Sequence, residues 1–210
     1  MTNSLFFGNH NAMECKFDLI KIPEMEVWSD FSLIIFSIPL EVSAKEQKIW
    51  IKKGIQESIK KLLNSRNIVA KSELSYNHLT LNNYPNLAIS VSHTKNYGLV
   101  GLAEKNTFIS IGVDIELSNR LFENRLAKFF AHSTEINNTT LLELWTKKEA
   151  AFKALSPTST ECRLLKQIEF QEENFSLQNS PHQGITTTFN HNFQEQNFLI
   201  SIARLTQILP

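Results

Sequence analysis

Two short stretches of this sequence carry residue types that, brought together, would hold a divalent cation against a phosphate. In Trp145-Thr146-Lys147-Lys148-Glu149-Ala150-Ala151-Phe152-Lys153, a helical period sets Glu149 and Lys153 one turn apart. In Gly112-Val113-Asp114-Ile115-Glu116, strand alternation projects Asp114 and Glu116 from one face. Close carboxylates repel unless one is protonated or a cation sits between them. Mg²⁺ suits such a set, because it takes oxygen ligands, usually one or two carboxylates plus substrate phosphates. Each feature also has a plainer reading. Asp114 and Glu116 would serve as solvated acids at a strand end, and Glu149–Lys153 as a surface ion pair worth about 0.3–0.5 kcal/mol.

The helix that must carry Glu149 runs from Thr140 to about Leu155, with Leu141, Leu144, Trp145, Phe152 and Leu155 as its expected buried stripe. Glu149 lies on the flank of that stripe. Lys148 falls inside it, and a lysine there either snorkels out or meets an anion. Gly112, on the face of the two acids, is expected to leave space beside them. Ser92-His93, at the end of a strand, is a third polar feature. No Gly-x-Ser-x-Gly elbow surrounds Ser92, and neither a Walker loop nor a dinucleotide glycine pattern occurs.

The supporting elements follow from hydrophobic periodicity. Phe31 to Ile38 reads as a buried strand stopped by Pro39. Ser43 and Glu46 form a capping-box pattern opening a helix to about Asn64, with Ala44, Ile51, Ile55, Ile59 and Leu62 as its stripe. Leu87 to Ser92 and Tyr97 to Ala103 read as a hairpin around a polar turn, His93 to Asn96. Phe108 to Glu116 is a strand with Ile109, Ile111, Val113 and Ile115 on one face. A helix is expected over Glu123 to Phe130. The last third reads as strands at Leu164 to Phe170, Phe175 to Gln178, Ile185 to Phe189 and Phe198 to Leu205. The composition supports a mixed α/β (α+β) chain of two comparable halves, 1–104 and 105–210, split near Glu104 to Thr107.

At 210 residues the chain can bury a real core. Gly and Pro number six each, which leaves little room for linkers. No apolar run approaches the roughly 20 residues of a membrane span, and the N-terminus lacks the basic start and apolar core of a signal peptide. Cys15 and Cys162 are isolated thiols, which fits a reducing cytosol, so a cytoplasmic location is expected. Net charge is zero but unevenly spread. Between Lys45 and Lys71 eight Lys/Arg face two acids, a local balance of +6, so the remainder carries −6. Such a run is either a solvated helix face or a surface for a polyanion or an acidic protein.

Taken in order, Ser90-Val91-Ser92-His93, then Ile111-Gly112-Val113-Asp114-Ile115-Glu116, then Trp145-Thr146-x-Lys148-Glu149-Ala150-x-x-Lys153 resemble the motifs of 4′-phosphopantetheinyl transferases. Arg125 to Glu135, with Phe129-Phe130 and Glu135, resembles that family's connector. The length resembles the larger, monomeric (Sfp-like) branch, which implies two similar α/β halves related by a pseudo-twofold axis. The resemblance implies Mg²⁺-dependent transfer of phosphopantetheine from coenzyme A to a serine of an apo carrier protein. The carrier would be of fatty-acid, polyketide or peptide-synthetase type, and adenosine 3′,5′-bisphosphate would be released. It also implies that Asp114, Glu116 and Glu149 ligate Mg²⁺, with Glu149 as base for the carrier hydroxyl and Lys153 at the leaving phosphate. Ser92 and His93 would contact the phosphates of coenzyme A.

Two departures from the family pattern stand out. Where relatives carry a Gly-Lys-Pro-like element, this chain reads Asn77-His78-Leu79, so His78 replaces a fixed cation with a titratable one. The N-terminal helix is lysine-rich rather than arginine-bearing, which leaves Lys52 and Lys53 as candidates for the 3′-phosphate; lysine offers a point charge where arginine grips bidentately. Two rival readings remain. A metal-dependent nuclease of the Asp…Glu-x-Lys type sets its last two residues two apart on a strand, whereas Glu149 and Lys153 are four apart in a helical context. A catalytically degenerate relative that binds carrier proteins without modifying them would be consistent with the altered Asn77-His78-Leu79.

Overall fold

A computed structural model of the chain describes residues 14–22, 28–40, 42–70, 81–105, 108–136, 139–159 and 162–206. It is a mixed α+β structure with two antiparallel sheets. The first has the order β1-β2-β4-β3 and uses strands Lys16–Ile20 (β1), Phe31–Ser37 (β2), Leu87–Thr94 (β3) and Tyr97–Glu104 (β4). The second has the order β5-β9-β8-β7-β6, with Phe108–Leu117 (β5), Ile168–Gln171 (β6), Asn174–Leu177 (β7), Gln183–Phe193 (β8) and Gln196–Thr206 (β9). Among the described residues three α-helices accompany them: Ala44–Ser65 (α1), Ser133–Ile136 (α2) and Leu141–Leu155 (α3). Among the described residues no helix is long and apolar enough to cross a membrane.

Alternation along the strands distributes the side chains into layers. Leu33, Ile35, Leu99 and Ala103 of the first sheet meet Ile111, Val113, Ile115, Ile200 and Ile202 of the second. The opposite face of the first sheet, through Ile34, Phe36, Ile89, Val91, Val100 and Leu102, takes the stripe Ile55, Ile59, Leu62 and Leu63 of α1. Helix α3 covers the outer face of the second sheet through Ala150, Ala151, Ala154 and Leu155 against Ala203 and Leu205. At one margin β3 and β5, each at the edge of its sheet, pack along one another. Ser90 Oγ accepts from the Val113 N–H at 3.0 Å, a side chain standing in where a ladder bond would otherwise be made.

Local chemistry accounts for the helix ends. The Ser43–Glu46 capping box forms, and Asn67, at φ 58°, terminates α1 in the left-handed region that Asn tolerates. Thr140 caps α3 by accepting from the Glu143 N–H at 3.2 Å.

Several details differ from the periodicity reading. Ala44 is exposed and Ile51 only partly covered, so the buried stripe of α1 begins at Gly54 and Ile55. A β-bulge between Phe108 and Ser110 turns Ile109 away from Ile111 and onto the α3 side. The Glu123 to Phe130 helix is a tighter 3₁₀ turn, Asn124–Phe129, and the Leu164 to Phe170 segment begins as another, Leu165–Gln167, before β6. The hairpin turn is only Lys95-Asn96, so His93 belongs to β3. Edge strand β1 had no clear alternation to announce it.

Candidate active site

The approach of α3 to β5 builds the site. Gly112 does not leave open space: a Cβ there would lie 1.8 Å from the Ala150 carbonyl oxygen and 2.7 Å from the Ala154 nitrogen. The missing side chain lets the helix backbone rest on the strand, opposite the small residues Ala150, Ala151 and Ala154. Ser110 Oγ fastens the contact by donating to the Ala154 carbonyl. Side chains on the neighbouring turns of α3 then reach the acids of β5.

Lys153 arrives first. Its Nζ donates to Asp114 Oδ1 at 2.7 Å, to Ser92 Oγ at 2.9 Å and to the Val113 carbonyl at 3.0 Å. Ser92 Oγ itself donates to Asp114 Oδ1 at 2.7 Å. One residue pair further along, Thr94 Oγ1 donates to Glu116 Oε2 at 3.2 Å. Glu116 is also paired with Arg120 and accepts from the Trp145 indole. Ser90, Ser92 and Thr94 thus form a row of hydroxyls along β3 that meets β5 residue by residue.

The electrostatics are those of crowded carboxylates. Burial, reinforced by the charge of Asp114, pushes Glu116 above the usual carboxylate range, against the pull of Arg120 and the Thr94 and Trp145 hydrogen bonds. Glu149 is raised in the same way, by burial first and then by Asp114 and Glu116, with Lys153 and Arg120 opposing. Asp114 is only 5% exposed, and its Oδ2 is buried without a hydrogen-bond partner. An orphaned carboxylate oxygen, with two more acids in electrostatic reach, has the chemistry that a hard divalent cation takes. The three acids do not converge on one point: among the described residues no three His, Cys, Asp or Glu side chains stand close enough to grip a metal ion as a group. The ammonium of Lys153 and the guanidinium of Arg120 lie among them.

The remaining candidates are placed differently. Ser92 is buried, while His93 leaves β3 on the opposite face and is exposed. Lys52 and Lys53 lie on the exposed side of α1, and α1 covers the face of the first sheet opposite Ser92; Lys53 sits over the Trp50 ring at 5.1 Å. His78, with Asn77 and Leu79, falls outside the described residues. Lys148 meets an anion rather than snorkelling. It is fully buried, with Nζ 2.8 Å from Glu135 Oε2 and 2.7 Å from the Ile168 carbonyl. The buried surface of α3 is correspondingly wider than a stripe, adding Leu142, Thr146, Lys148 and three alanines, while Leu141, Trp145 and Phe152 are only partly covered.

Sequence reasoning passed over Thr94 and Arg120, and it placed Trp145 in the motif and the buried stripe without its hydrogen bond to Glu116. The alternation Ser90-x-Ser92-x-Thr94 was the available signal for the first. Nothing local marked Arg120, because the chain between Glu116 and Phe122 has no regular period.

With this geometry in hand, residues 110–203 match the family model described as the 4′-phosphopantetheinyl transferase superfamily. The match covers less than half of the chain and supports a likeness to that superfamily over this segment. The matched segment contains Asp114, Glu116, Glu149 and Lys153, and Ser92 lies ahead of it. No curated protein matches the chain.

Proposed function

We propose that the protein transfers 4′-phosphopantetheine from coenzyme A to a serine of an apo carrier protein, as a member of the larger, monomeric branch with halves 1–104 and 105–210. One observation carries this reading. Two acids of β5 and an acid and a lysine of α3 share one partly buried cluster, inside the segment that matches the superfamily. A strand-borne Glu-x-Lys, as in the nuclease alternative, is not what supplies the last two groups.

Asp114, Glu116 and Glu149 are the residues that would hold Mg²⁺, whose contribution would be to neutralise the diphosphate. The orphaned Oδ2 of Asp114 supports that assignment. Glu149 takes the proton of the carrier hydroxyl. Its raised pKa brings its basicity closer to neutrality, where a general base works best. Lys153, held by Asp114 and Ser92, offers a fixed positive charge, or a proton, to the leaving phosphate oxygen. Ser92 and His93 would contact the phosphates, with His78, Lys52 and Lys53 as further cationic contacts. Basic α1 suits an acidic carrier surface.

The test is incubation with Mg²⁺, coenzyme A and a panel of fatty-acid, polyketide and peptide-synthetase apo carriers, read by intact mass. A phosphopantetheine adduct on one carrier is the expected result. Coenzyme A binding with no adduct on any carrier would instead favour a carrier-binding relative without activity.

A further inference from the structure

A cleft of about 520 Å³ is lined by Thr94, Lys95, Leu117, Asn119, Leu121 and Arg120, the partner of Glu116. Two cations therefore stand on its walls, one from the β3–β4 turn and one from the segment after β5. The turn is held from outside: Gln47 of α1 donates to the Lys95 carbonyl at 3.1 Å and to Asn96 Oδ1 at 3.0 Å. Lys95 itself sits at φ 47°, a left-handed conformation unusual for lysine. Arg120 rests on an aromatic platform, its guanidinium carbon 5.3 Å from the Phe122 ring. Phe122 in turn packs on Phe130 and Trp145, at 5.4 and 5.3 Å.

A simple surface ion pair would account for Arg120–Glu116 if both groups were exposed. They are not: the Glu116 side chain is 8% exposed and that of Arg120 43%. The guanidinium is thus the solvent-side cover of a buried carboxylate, and the same guanidinium lines the cleft. A second cation cannot approach Glu116 closely while Arg120 is fully engaged there, because like charges at contact repel. An anion in the cleft relieves the conflict. Phosphate oxygens match the guanidinium fork bidentately, Lys95 faces them as a point charge, and Thr94 and Asn119 supply neutral polar groups.

We infer that this cleft is a diphosphate-binding site in which Arg120 is shared between Glu116 and a phosphate oxygen of the ligand, with Lys95 as the second cation. The inference rests on the transferase reading and adds to it the residues that receive the diphosphate. Its consequence is reciprocal coupling: the diphosphate draws Arg120 off Glu116 and strengthens cation binding, and the cation strengthens diphosphate binding by the same factor.

Calorimetry on the full chain tests this without turnover, using Mg²⁺ alone and then 3′-dephospho-coenzyme A with Mg²⁺, a probe that keeps the diphosphate without the 3′-phosphate. Arg120→Gln is expected to bind Mg²⁺ alone about three- to tenfold more tightly, to bind the nucleotide about tenfold more weakly, and to lose most of the coupling. Lys95→Gln is expected to weaken the nucleotide severalfold with Mg²⁺ affinity unchanged. Weaker Mg²⁺ binding by Arg120→Gln would reduce Arg120 to a support for Glu116 and overturn the inference. So would nucleotide affinity that neither substitution changes, while the transferase reading stood. If the wild-type chain bound neither 3′-dephospho-coenzyme A nor coenzyme A in the presence of Mg²⁺, both readings would fall together.

Discussion

Lys148 and Lys153 stand five residues apart on α3, and each meets a carboxylate at hydrogen-bonding distance, yet their surroundings are opposites. Around Lys148 the polar groups are matched. Glu135 Oε2 accepts from Lys148 and from the His132 N–H at 2.7 Å, and Oε1 accepts from the Phe170 N–H at 3.1 Å. Burial pulls the Lys148 pKa down and the Glu135 charge pulls it back. Around Lys153 the groups are mismatched. Asp114 keeps a buried oxygen with no partner, and Glu116 and Glu149 are pushed toward holding protons. A buried pair whose hydrogen bonds are all made fixes structure, whereas one left short of partners has capacity for a ligand. On one helix the first pair sets where α3 lies relative to α2 and β6, and the second uses that position.

The largest expected effect sharpens the chemical side. Glu149→Gln keeps the shape and removes the proposed base, and should lower the proposed transfer rate by about 10²- to 10⁴-fold with the thermal midpoint near that of the parent chain. Near-normal turnover in a single-turnover mass assay would strip Glu149 of its role. Lys148→Met probes the other pair. It leaves Glu135 charged and buried without its partner, and should cost about 3–5 kcal/mol of stability. Urea unfolding measures it. Replacing Glu135 by Leu as well should not restore the parent value, because the His132 and Phe170 N–H groups would lose their acceptor. Full recovery in the double variant would show that the pair is dispensable to the fold.

The two lysines were unequally legible in the sequence. Lys148 stood out because it interrupts an apolar stripe, but its pairing did not: Glu135, named only within the family-like connector, lies on a four-residue helix with too little periodicity to place it. The strands of the second sheet were readable from alternation, and α1 from its capping box and stripe. The bulge that turns Ile109 was not, since no glycine or proline marks it. Around Lys153, the strand pattern placed Asp114 and Glu116 on one face, and the helical period placed Glu149 near Lys153. What lay beyond reach was the contact between β3 and β5, because it joins the edges of two different sheets through side chains such as Ser90 and Ser92.

Gly112 was read as an opening and is a contact surface, so it offers a graded way to disturb one lysine and spare the other. In Gly112→Ala the new methyl meets backbone, not a flexible side-chain end, and the helix must shift. Overpacking of this kind costs about 1–3 kcal/mol. The shift falls at Ala150 and Ala154, on the Glu149–Lys153 end, so transfer should decline more than the stability loss alone explains. Unchanged unfolding midpoint and unchanged rate would mean that the close approach is not what positions the two groups.

The smallest effect is a pH dependence whose sign the crowded acids set. Glu116 and Glu149 hold protons in the folded chain at pH values where the unfolded chain has released them, since both folded-state pKa values lie above the ordinary 4.5. Stability from these groups is therefore present below about pH 4.5 and declines as pH rises through their folded-state values. If Glu116 and Glu149 hold Mg²⁺ as proposed, the cation would compete with those protons, so its stabilising effect should be slight at about pH 5 and grow toward about pH 8. Thermal midpoints with and without saturating Mg²⁺ at the two pH values give the comparison. In Lys148→Met the same growth should persist, because that lysine belongs to the other pair. In Asp114→Asn it should shrink, because the orphaned oxygen has lost its charge. A Mg²⁺ shift equal at both pH values would place the cation somewhere other than these three acids.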